Sequence, residues 1–455
     1  MTAREQVIEK MRREALSEQA IETFVRQYDR LCSGEQGTIA EAQIEPVERL
    51  DDAEALTDAQ TGLDQLVVIK LNGGLGTSMG LDRAKSLLEV KQGHSFLDLI
   101  CEQVLVARER TGARLPLVLM NSFATRADSL AALGRHPGIE SDRLAPDFLQ
   151  GRVPKLIAAD ELHPPVSHPS DPALEWVPPG HGDLYPALAG SGMLATLLER
   201  GFRYAFVSNS DNLGATLEPR ILAWMIERGA PLVMEACDRT PSDRKGGHLA
   251  RRKDGGGLIL REVAQTPPDD LAAFQDTGLH RYFNTNSLWI DLQALQHLLA
   301  ERGVIELPMI VNRKTVDPRD PASTPVIQLE TAMGSAIGLL DGAAAIRVPR
   351  SRYAPVKTTA DLLALRSDAY LLGDDRAVRL APERAGTPPL IELDDEYFRR
   401  ADELERRFPS GAPSLVGCDR LRVRGDVTFG AGFVIEGEVT VYGPQVVAGG
   451  SLLRG

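Results

Sequence analysis

A glycine-rich segment that follows an apolar run carries the sharpest chemical signal in this chain. The sequence VVIKLNGGLGTSMG occupies residues 67–80, and its apolar part leads directly into Asn72 and four glycines. Glycine permits positive φ and lets backbone N–H groups approach a ligand, and such groups at a strand-to-helix turn bind anions. The segment therefore indicates a nucleotide- or phosphate-binding loop, with a tight structural turn as the alternative. We expect a helix to follow Lys85.

This loop lacks the two commonest nucleotide-binding signatures. A Walker A loop requires Gly-Lys followed by Ser or Thr, and the chain contains no Gly-Lys pair. The dinucleotide fingerprint G-x-G-x-x-G also fails, because counting from Gly74 places Met79 at the third glycine position. The sequence therefore disfavours a P-loop ATPase and a dehydrogenase.

Two lysines and an aspartate could supply the charges for attack of a phosphate on a nucleotide. A phosphate nucleophile is largely ionised at neutral pH, with a second pKa of ~6, so it needs no general base. It needs two anions held in line and compensation of the developing charge. Lys85 follows the glycine loop, Asp211 follows a predicted strand where a carboxylate could hold Mg²⁺, and Lys357 precedes a predicted helix. On position alone, solvated lysines and an Asx turn or N-cap explain these residues as well.

Three further segments carry polar groups that suit a sugar. PPGHGDLY (178–185) exposes His181 between glycines, KGGHL (245–249) pairs glycines with a lysine, and FNTNSLW (283–289) places two asparagines in a predicted strand. An amide side chain offers both donors and an acceptor to sugar hydroxyls, although it suits a turn equally well. Each segment by itself is weak support for a sugar site.

The elements that must position these residues alternate between strands and helices. Apolar, β-rich runs occupy 66–71, 116–121, 204–209 and 231–236, and amphipathic stretches occupy 95–110 and 191–201. This alternation is typical of a parallel sheet covered on both faces, so we predict an α/β doubly wound domain. Residues 1–60 are predicted to be helical and polar.

The last ninety residues have a different pattern of apolar residues and glycines. Residues 392–408 look like an exposed helix or connector, and residues 421–443 alternate small apolar residues with glycines. Val423, Val427, Phe433 and Val439 follow the rhythm of a hexapeptide β-helix. An ordinary pair of β-hairpins is the alternative.

Composition and charge narrow the class of protein. The chain has 455 residues, 43% hydrophobic and 25% charged, which predicts a folded protein of two or three structural units. A net charge of -13 argues against a nucleic-acid partner, and no window offers the ~20 apolar residues of a membrane helix. Four dispersed cysteines and a charged N-terminus without a signal-peptide core favour a soluble, cytoplasmic protein.

Taken in order, the segments resemble the eukaryotic-type UDP-glucose pyrophosphorylases, which are UTP–glucose-1-phosphate uridylyltransferases. The resemblance is carried by KLNGGLGTSMG (70–80), PLVLMNSF (116–123), PPGHGDLY (178–185), FVSNSDNLGAT (206–216), KGG (245–247), FNTNSLW (283–289), VIQLETAMGSAI (326–337), VPRSRYAPVKTTADLL (348–363) and PSLVGCDRLRVRGDVTFGAG (413–432). It departs beside the glycine loop, where the family usually reads Cys-Lys-Gly-Pro-Lys-Ser and this chain has Leu-Asp-Arg-Ala-Lys-Ser at 81–86.

The resemblance implies both an architecture and an activity. We expect a GT-A/Rossmann-like nucleotidyltransferase core with a mixed sheet (61–365), preceded by a helical segment (1–60) and followed by a connector and a short left-handed β-helix (366–455). The expected substrates and products are UTP, glucose 1-phosphate, UDP-glucose and pyrophosphate, with Mg²⁺ as cofactor. A homo-oligomer would form through the C-terminal domain. A pyrophosphorylase for another sugar 1-phosphate, or a non-catalytic UDP-sugar sensor, is the alternative.

The resemblance also assigns roles to individual residues. Lys357 and Lys85 would be catalytic, holding phosphates, and Asp211 would bind Mg²⁺. The residues around the nucleotide would be Leu71, Asn72, Gly73, Gly74, Met120, Gln150 and Gly180. The residues near the sugar or its phosphate would be His181, Gly182, Asn212, Glu262 and Asn286.

Overall fold

The N-terminal segment is helical only in its first half. The structure, a computed structural model, describes residues 1–35, 37–158, 162–240, 243–318 and 320–455. Helices α1 (Ala3–Arg13) and α2 (Glu18–Cys32) begin at the caps Thr2 and Ser17. The prediction of a helical 1–60 is wrong beyond α2, because β1 (Ile44–Pro46) and β2 (Asp51–Asp52) pair with strands of the central sheet.

The middle of the chain alternates strands and helices, as predicted. Its elements are β3 (Leu66–Asn72), β4 (Glu89–Lys91), β5 (His94–Ser95), α3 (Phe96–Thr111), β6 (Leu117–Asn121), α4 (Arg126–Leu133), β7 (Asp147–Leu149), β8 (Val153–Pro154), β9 (Leu156–Ile157), β10 (Trp176–Val177), α5 (Leu184–Gly190), α6 (Met193–Glu199), β11 (Tyr204–Asn209), α7 (Pro219–Arg228), β12 (Leu232–Asp238), β13 (His248–Arg252), β14 (Leu258–Arg261), α8 (Leu271–Gln275), β15 (Tyr282–Asp291), α9 (Leu292–Arg302), β16 (Met309–Thr315), β17 (Pro325–Thr331), β18 (Ala344–Arg347) and α10 (Thr359–Arg366).

Eleven of the described strands build a mixed central sheet with apolar layers on both faces. Its order is β2-β18-β12-β15-β11-β3-β6-β7. Strand β13 also pairs with β15, and β1 and β14 pair with β13. The pairs among β11, β3, β6 and β7 are parallel, whereas β15 runs antiparallel to both β11 and β12. Along β3, Val68 faces one core cluster, and Val67 and Ile69 face the other. Strands buried on both faces must be apolar throughout, which is why they were recognisable in the sequence.

The helix expected after Lys85 does not form. Lys85–Leu87 makes a single 3₁₀ turn, and the hairpin β4–β5 follows. Gln92 and Gly93 at the hairpin tip have φ of 50° and 83°, the paired positive values of a tight hairpin turn. The helix α3 begins only at Phe96, where the Ser95 hydroxyl accepts from the Asp98 N–H.

The C-terminal segment begins with an antiparallel strand pair, which a stack of parallel strands follows. Its elements are β19 (Tyr370–Leu372), β20 (Val378–Leu380), β21 (Leu390–Glu392), α11 (Asp395–Phe398), α12 (Ala401–Arg407), β22 (Cys418–Arg424), β23 (Val427–Phe429), β24 (Val434–Tyr442), β25 (Gln445–Val447) and β26 (Leu452–Arg454). The pairs β21–β22, β22–β24, β24–β26 and β23–β25 are all parallel. A hairpin is antiparallel, so the alternative of two ordinary β-hairpins is wrong. The parallel pairing is the one that a coiled stack requires, and the β-helix itself stays a prediction.

The connector 392–408 is less exposed than its charge pattern suggested. Phe398 and Leu404 are buried, and the ring of Phe408 stacks on Phe429 with centroids 4.6 Å apart. The two short helices therefore attach the parallel stack to the rest of the core. Among the described residues, no helix combines the length and apolar character needed to cross a membrane.

Candidate active site

Three parallel neighbours, β3, β6 and β11, end at the same edge of the sheet. Asn72 pairs with Asn121 in register, and Leu71 pairs with Asn209. The Asn72 amide nitrogen donates to the Asn121 side-chain oxygen at 2.7 Å and to the Ser129 hydroxyl at 2.8 Å. Ligands of open α/β sheets bind beyond this edge. The predicted residues that follow these strands are therefore brought together.

The glycine loop closes on itself and faces Gln150. The Lys85 N–H donates to the Gly74 carbonyl at 3.0 Å. A Cβ added to Gly73 would lie 2.3 Å from the Gln150 Oε1, so the Gln150 amide packs directly against the Gly73 backbone and would have to move if position 73 carried a side chain. The Gln150 N–H donates to the Asn121 carbonyl at 2.7 Å, and Met120 is buried beside it. The structure thus joins the predicted nucleotide residues from β3, β6 and the end of β7.

The two predicted catalytic lysines lie close to Asp211. The Lys85 Nζ donates to the Asp211 Oδ2 at 2.7 Å and also to the Val356 carbonyl. The Val356 N–H donates to the Asp211 carbonyl at 3.2 Å, which holds the loop before α10 against the end of β11. Lys85 and Asp211 are largely buried. Lys357 follows directly after Val356, so the three charges share one site.

Lys357 is a cation whose charge is favoured by its surroundings. Its Nζ donates to the Tyr353 hydroxyl at 3.3 Å. Burial lowers the pKa of Lys357, but Tyr353, Asp211 and Asp361 outweigh it and the pKa is raised overall. Burial raises the pKa of Glu262, and the nearby charge of Lys357 opposes that rise. Lys357 is thus fully charged at neutral pH.

His181 lies in a turn that packs against the end of β17. Gly180 has φ of 79°, and a Cβ added to Gly182 would lie 2.2 Å from the Thr331 Oγ1. The Met333 N–H donates to the His181 Nδ1 at 3.0 Å, so the neutral ring carries its proton on Nε2. Burial lowers the pKa of His181 to about 4. The ring is therefore a neutral hydrogen-bond donor at physiological pH.

The remaining predicted sugar residues differ in what the structure shows. Asn286 has φ of 58° at an irregularity of the β12–β15 pairing, and its Oδ1 accepts from the Asn284 amide at 2.8 Å. Such left-handed residues within strands concentrate at functional sites. The Asn212 amide donates to the Arg352 carbonyl at 3.1 Å and accepts from the Ala354 N–H at 3.0 Å. Asn212 thus braces the loop of Lys357, and its sugar contact stays a prediction.

Sequence reasoning missed Tyr353 and Lys70. Tyr353 lies four residues before Lys357 in the segment 348–363, and its place in the site is shown only by its contact with the Lys357 Nζ. Lys70 is a buried lysine within β3, where its Nζ donates to the Ser208 hydroxyl at 2.6 Å and the Ala215 carbonyl at 3.0 Å. Burial lowers the pKa of Lys70 to about 7. A lysine inside an apolar strand is the sequence signal that could have found it.

A sheet edge that gathers glycine backbone, two lysines and a carboxylate defines a nucleotidyltransferase of the α/β class. The backbone N–H groups of the glycine loop can donate to a nucleotide, and the lysines can compensate the charge of its phosphates. Attack by a phosphate does not require a Ser–His–Asp nucleophile.

The comparison with known proteins places the chain within that class. The sequence profile of the UTP–glucose-1-phosphate uridylyltransferase family matches residues 21–436. The chain belongs to this family, and the resemblance found in its sequence is confirmed.

Curated relatives and solved structures agree. The UTP–glucose-1-phosphate uridylyltransferase of Hordeum vulgare is 41% identical over 87% of this chain and 80% of its own length. The Saccharomyces cerevisiae protein of the same name is 41% identical over 84% of this chain and 74% of its own. A mutant UDP-glucose pyrophosphorylase from Leishmania major, solved in complex with UDP-glucose, superposes with a TM-score of 0.93 at 44% identity, covering 100% of this chain and 98% of that one.

Proposed function

We propose that this protein transfers uridylyl from UTP to glucose 1-phosphate, releasing UDP-glucose and pyrophosphate in a reversible, Mg²⁺-dependent reaction. This is the activity in the name of the family to which the chain belongs. The observation that carries the proposal is the cluster of Lys85, Asp211 and Lys357 beside a glycine loop that faces Gln150.

The chemistry needs positioning and charge compensation more than proton transfer. The sugar phosphate attacks the α-phosphorus in line, and its oxygen is already ionised at neutral pH. Lys357 stabilises the negative charge that accumulates on the α-phosphate, because its own charge is favoured by Tyr353 and Asp211. Lys85, anchored by the Val356 carbonyl, holds the phosphates from the glycine-loop side.

The base and the sugar are recognised by neutral groups. The uracil lies against Gly73 and Gly74, and Gln150 hydrogen-bonds to its edge. The other residues that line the nucleotide site are Leu71, Asn72, Met120 and Gly180. The His181 Nε2–H donates to the sugar or its phosphate, with Gly182, Asn212, Glu262 and Asn286 around the same ligand. A site that hydrogen-bonds hydroxyls discriminates against sugars that lack them, because its own polar groups would be left unpaired.

Asp211 is the residue that would hold Mg²⁺. Magnesium is commonly bound through one or two carboxylates together with substrate phosphates, so a lone carboxylate at this edge fits the ion. In the ranges that the structure describes, no three His, Cys, Asp or Glu side chains gather as an all-protein metal site. The bound ion would supply compensation of phosphate charge.

Several finer features belong to the same proposal. We propose a GT-A-like core and a left-handed sense for the C-terminal parallel stack, with units at 1–60, 61–365 and 366–455. The parallel pairings of β21 to β26 support the coiled stack. A cytoplasmic location is supported by four free cysteines. Any homo-oligomer would use the C-terminal stack, where Tyr442 and Val446 are exposed.

The test is pyrophosphate release from UTP and Mg²⁺ with glucose, galactose, N-acetylglucosamine and glucosamine 1-phosphates in parallel. Fast release with glucose 1-phosphate alone is the expected result. Release with a different sugar keeps the reaction and overturns the substrate. Binding of UDP-glucose by a folded protein that releases no pyrophosphate with any sugar would instead identify a sensor.

A further inference from the structure

Asp183 is a buried carboxyl that is not among the groups that contact the substrates in the proposed function. It ends the turn of His181 and Gly182, immediately before α5, and only 6% of its surface is exposed. Its Oδ2 accepts from the Gly151 N–H at 2.5 Å. A Cβ added to Gly151 would lie 3.2 Å and 3.3 Å from the two carboxyl oxygens, so both oxygens face that backbone.

The surroundings of Asp183 offer it no compensating cation among the described residues. It lines a cavity of about 20 Å³ with neutral groups from α2, from the strand ends near Thr331 and from Pro186. Arg152 also lines this cavity, but its guanidinium pairs with Glu14 and packs over the Trp176 ring at 5.0 Å. His181, in the same turn, is neutral. Burial raises the pKa of Asp183 to about 7, and the Gly151 N–H opposes that rise.

The bond from Gly151 fixes the residue before it. Gln150 is held on one side by its own N–H, which donates to the Asn121 carbonyl at 2.7 Å. On the other side, the Gly151 N–H is held by Asp183. Two anchored N–H groups in succession fix the backbone of Gln150, whose amide packs against Gly73. The turn that carries His181 is thereby tied to the loop that carries Gln150.

We infer that Asp183 is a positioning residue for the nucleotide base: its carboxylate, bonded to the Gly151 N–H, holds Gln150 in the orientation that reads the uracil. The inference rests on the proposed function, because Gln150 has a ligand only if the protein binds a uridine nucleotide. An ionised carboxylate accepts the Gly151 bond strongly, and protonation removes the charge that strengthens it. Uridine binding therefore weakens as pH falls through about 7.

The experiment measures the Kd of UDP-glucose by calorimetry from about pH 8.5 to about pH 5.5. UDP-glucose is used in place of UTP because its diphosphate diester does not titrate in this range. The variants are Asp183→Asn, Gln150→Ala and the double variant. Asp291→Asn is the control, since Asp291 is a buried carboxylate at the far end of β15 that pairs with Arg203.

The wild-type Kd is expected to weaken about tenfold between the two ends of the range, the scale of one charge-assisted hydrogen bond. Asp183→Asn should bind about tenfold more weakly than wild type at about pH 8.5 and show a flat profile. In the Gln150→Ala background, Asp183→Asn should cause no further loss, because its effect passes through Gln150. The Asp291→Asn control should keep the wild-type profile even if it melts earlier.

Several outcomes would overturn the inference. One is a wild-type Kd that does not change with pH. Another is a pH dependence that persists in Asp183→Asn and therefore belongs to another group such as Lys70. The third is a loss of affinity in the double variant that equals the sum of the two single losses. If Asp183→Asn does not fold, the inference is tested by comparing wild type with Gln150→Ala. The pH dependence of the Kd should then be present in wild type and absent from Gln150→Ala. Wild type that binds no UDP-glucose at any pH refutes the proposed function itself, whereas normal binding with an unaffected Asp183→Asn refutes only the role of Asp183.

Discussion

Replacing Gly182 by alanine tests whether the His181 turn is part of the active site. The added Cβ would lie 2.2 Å from the Thr331 Oγ1 and 2.7 Å from the Thr331 Cβ. Ordinary contact begins at 3.4 Å, so the turn must move by about 3.4 − 2.2 = 1.2 Å or push the end of β17 aside. A misplacement of about 1 Å in a reacting site can lower the rate about 100-fold. We therefore expect kcat to fall about 100-fold.

The assay is pyrophosphate release at saturating UTP and glucose 1-phosphate, together with thermal melting. Overpacking should cost about 1–3 kcal/mol of folding free energy, so the variant should remain folded at about 25 °C. Gly134→Ala is the matched control. Its Cβ would meet only an ordinary contact at 3.5 Å, at the exposed end of α4.

A second variant separates the clash from other effects. Thr331→Ala removes the nearest atom and reduces the overlap with the Cβ added at position 182 to about 3.4 − 2.7 = 0.7 Å, so the double variant should recover part of the lost kcat. Near-normal kcat in a stably folded Gly182→Ala protein would refute the placement of this turn against the substrate. A loss of kcat equal to that of Gly134→Ala would do the same.

Three other substitutions probe the charged groups. Lys357→Ala should lower kcat at least ~100-fold in the same assay, which is the scale seen when one transition-state donor is removed. Lys253→Ala, in the exposed turn between β13 and β14, is the control and should keep the wild-type kcat. A near-normal kcat in Lys357→Ala would remove Lys357 from the mechanism. Asp211→Asn should weaken both turnover and its Mg²⁺ dependence in a metal titration, and an unchanged titration would place the metal ligand elsewhere. Arg352→Met should lower the free energy of unfolding, measured in urea, by about 3–5 kcal/mol, because the fully buried Glu235 would lose its ion pair at 2.6 Å. A decrease below about 1 kcal/mol would contradict this reasoning.

The central strands could be predicted because their burial leaves a local signal. Strands such as β3 and β11 are apolar over their length and sit between two core layers, so their pattern survives in the sequence alone. The direction of β15 left no such signal. Its pairing with β11 and β12 is antiparallel, and only long-range contacts decide that direction. The β4–β5 hairpin was missed for a different reason, since a Gln-Gly tip is a weaker hairpin signal than Asn-Gly.

Chemistry that depends on residue type and order was determined by the sequence itself: the glycine loop, the lysines and aspartate, and the segments that place the chain in its family. What only the tertiary structure decided is which partner each group has. Lys85 and Asp211 are 126 residues apart in the chain and 2.7 Å apart in space. Asp183 meets Gly151, and Asn212 braces the loop of Lys357. Hydrogen bonds and ion pairs form between atoms within about 3 Å, and that proximity is set by how the strands and loops pack rather than by any local pattern of residues.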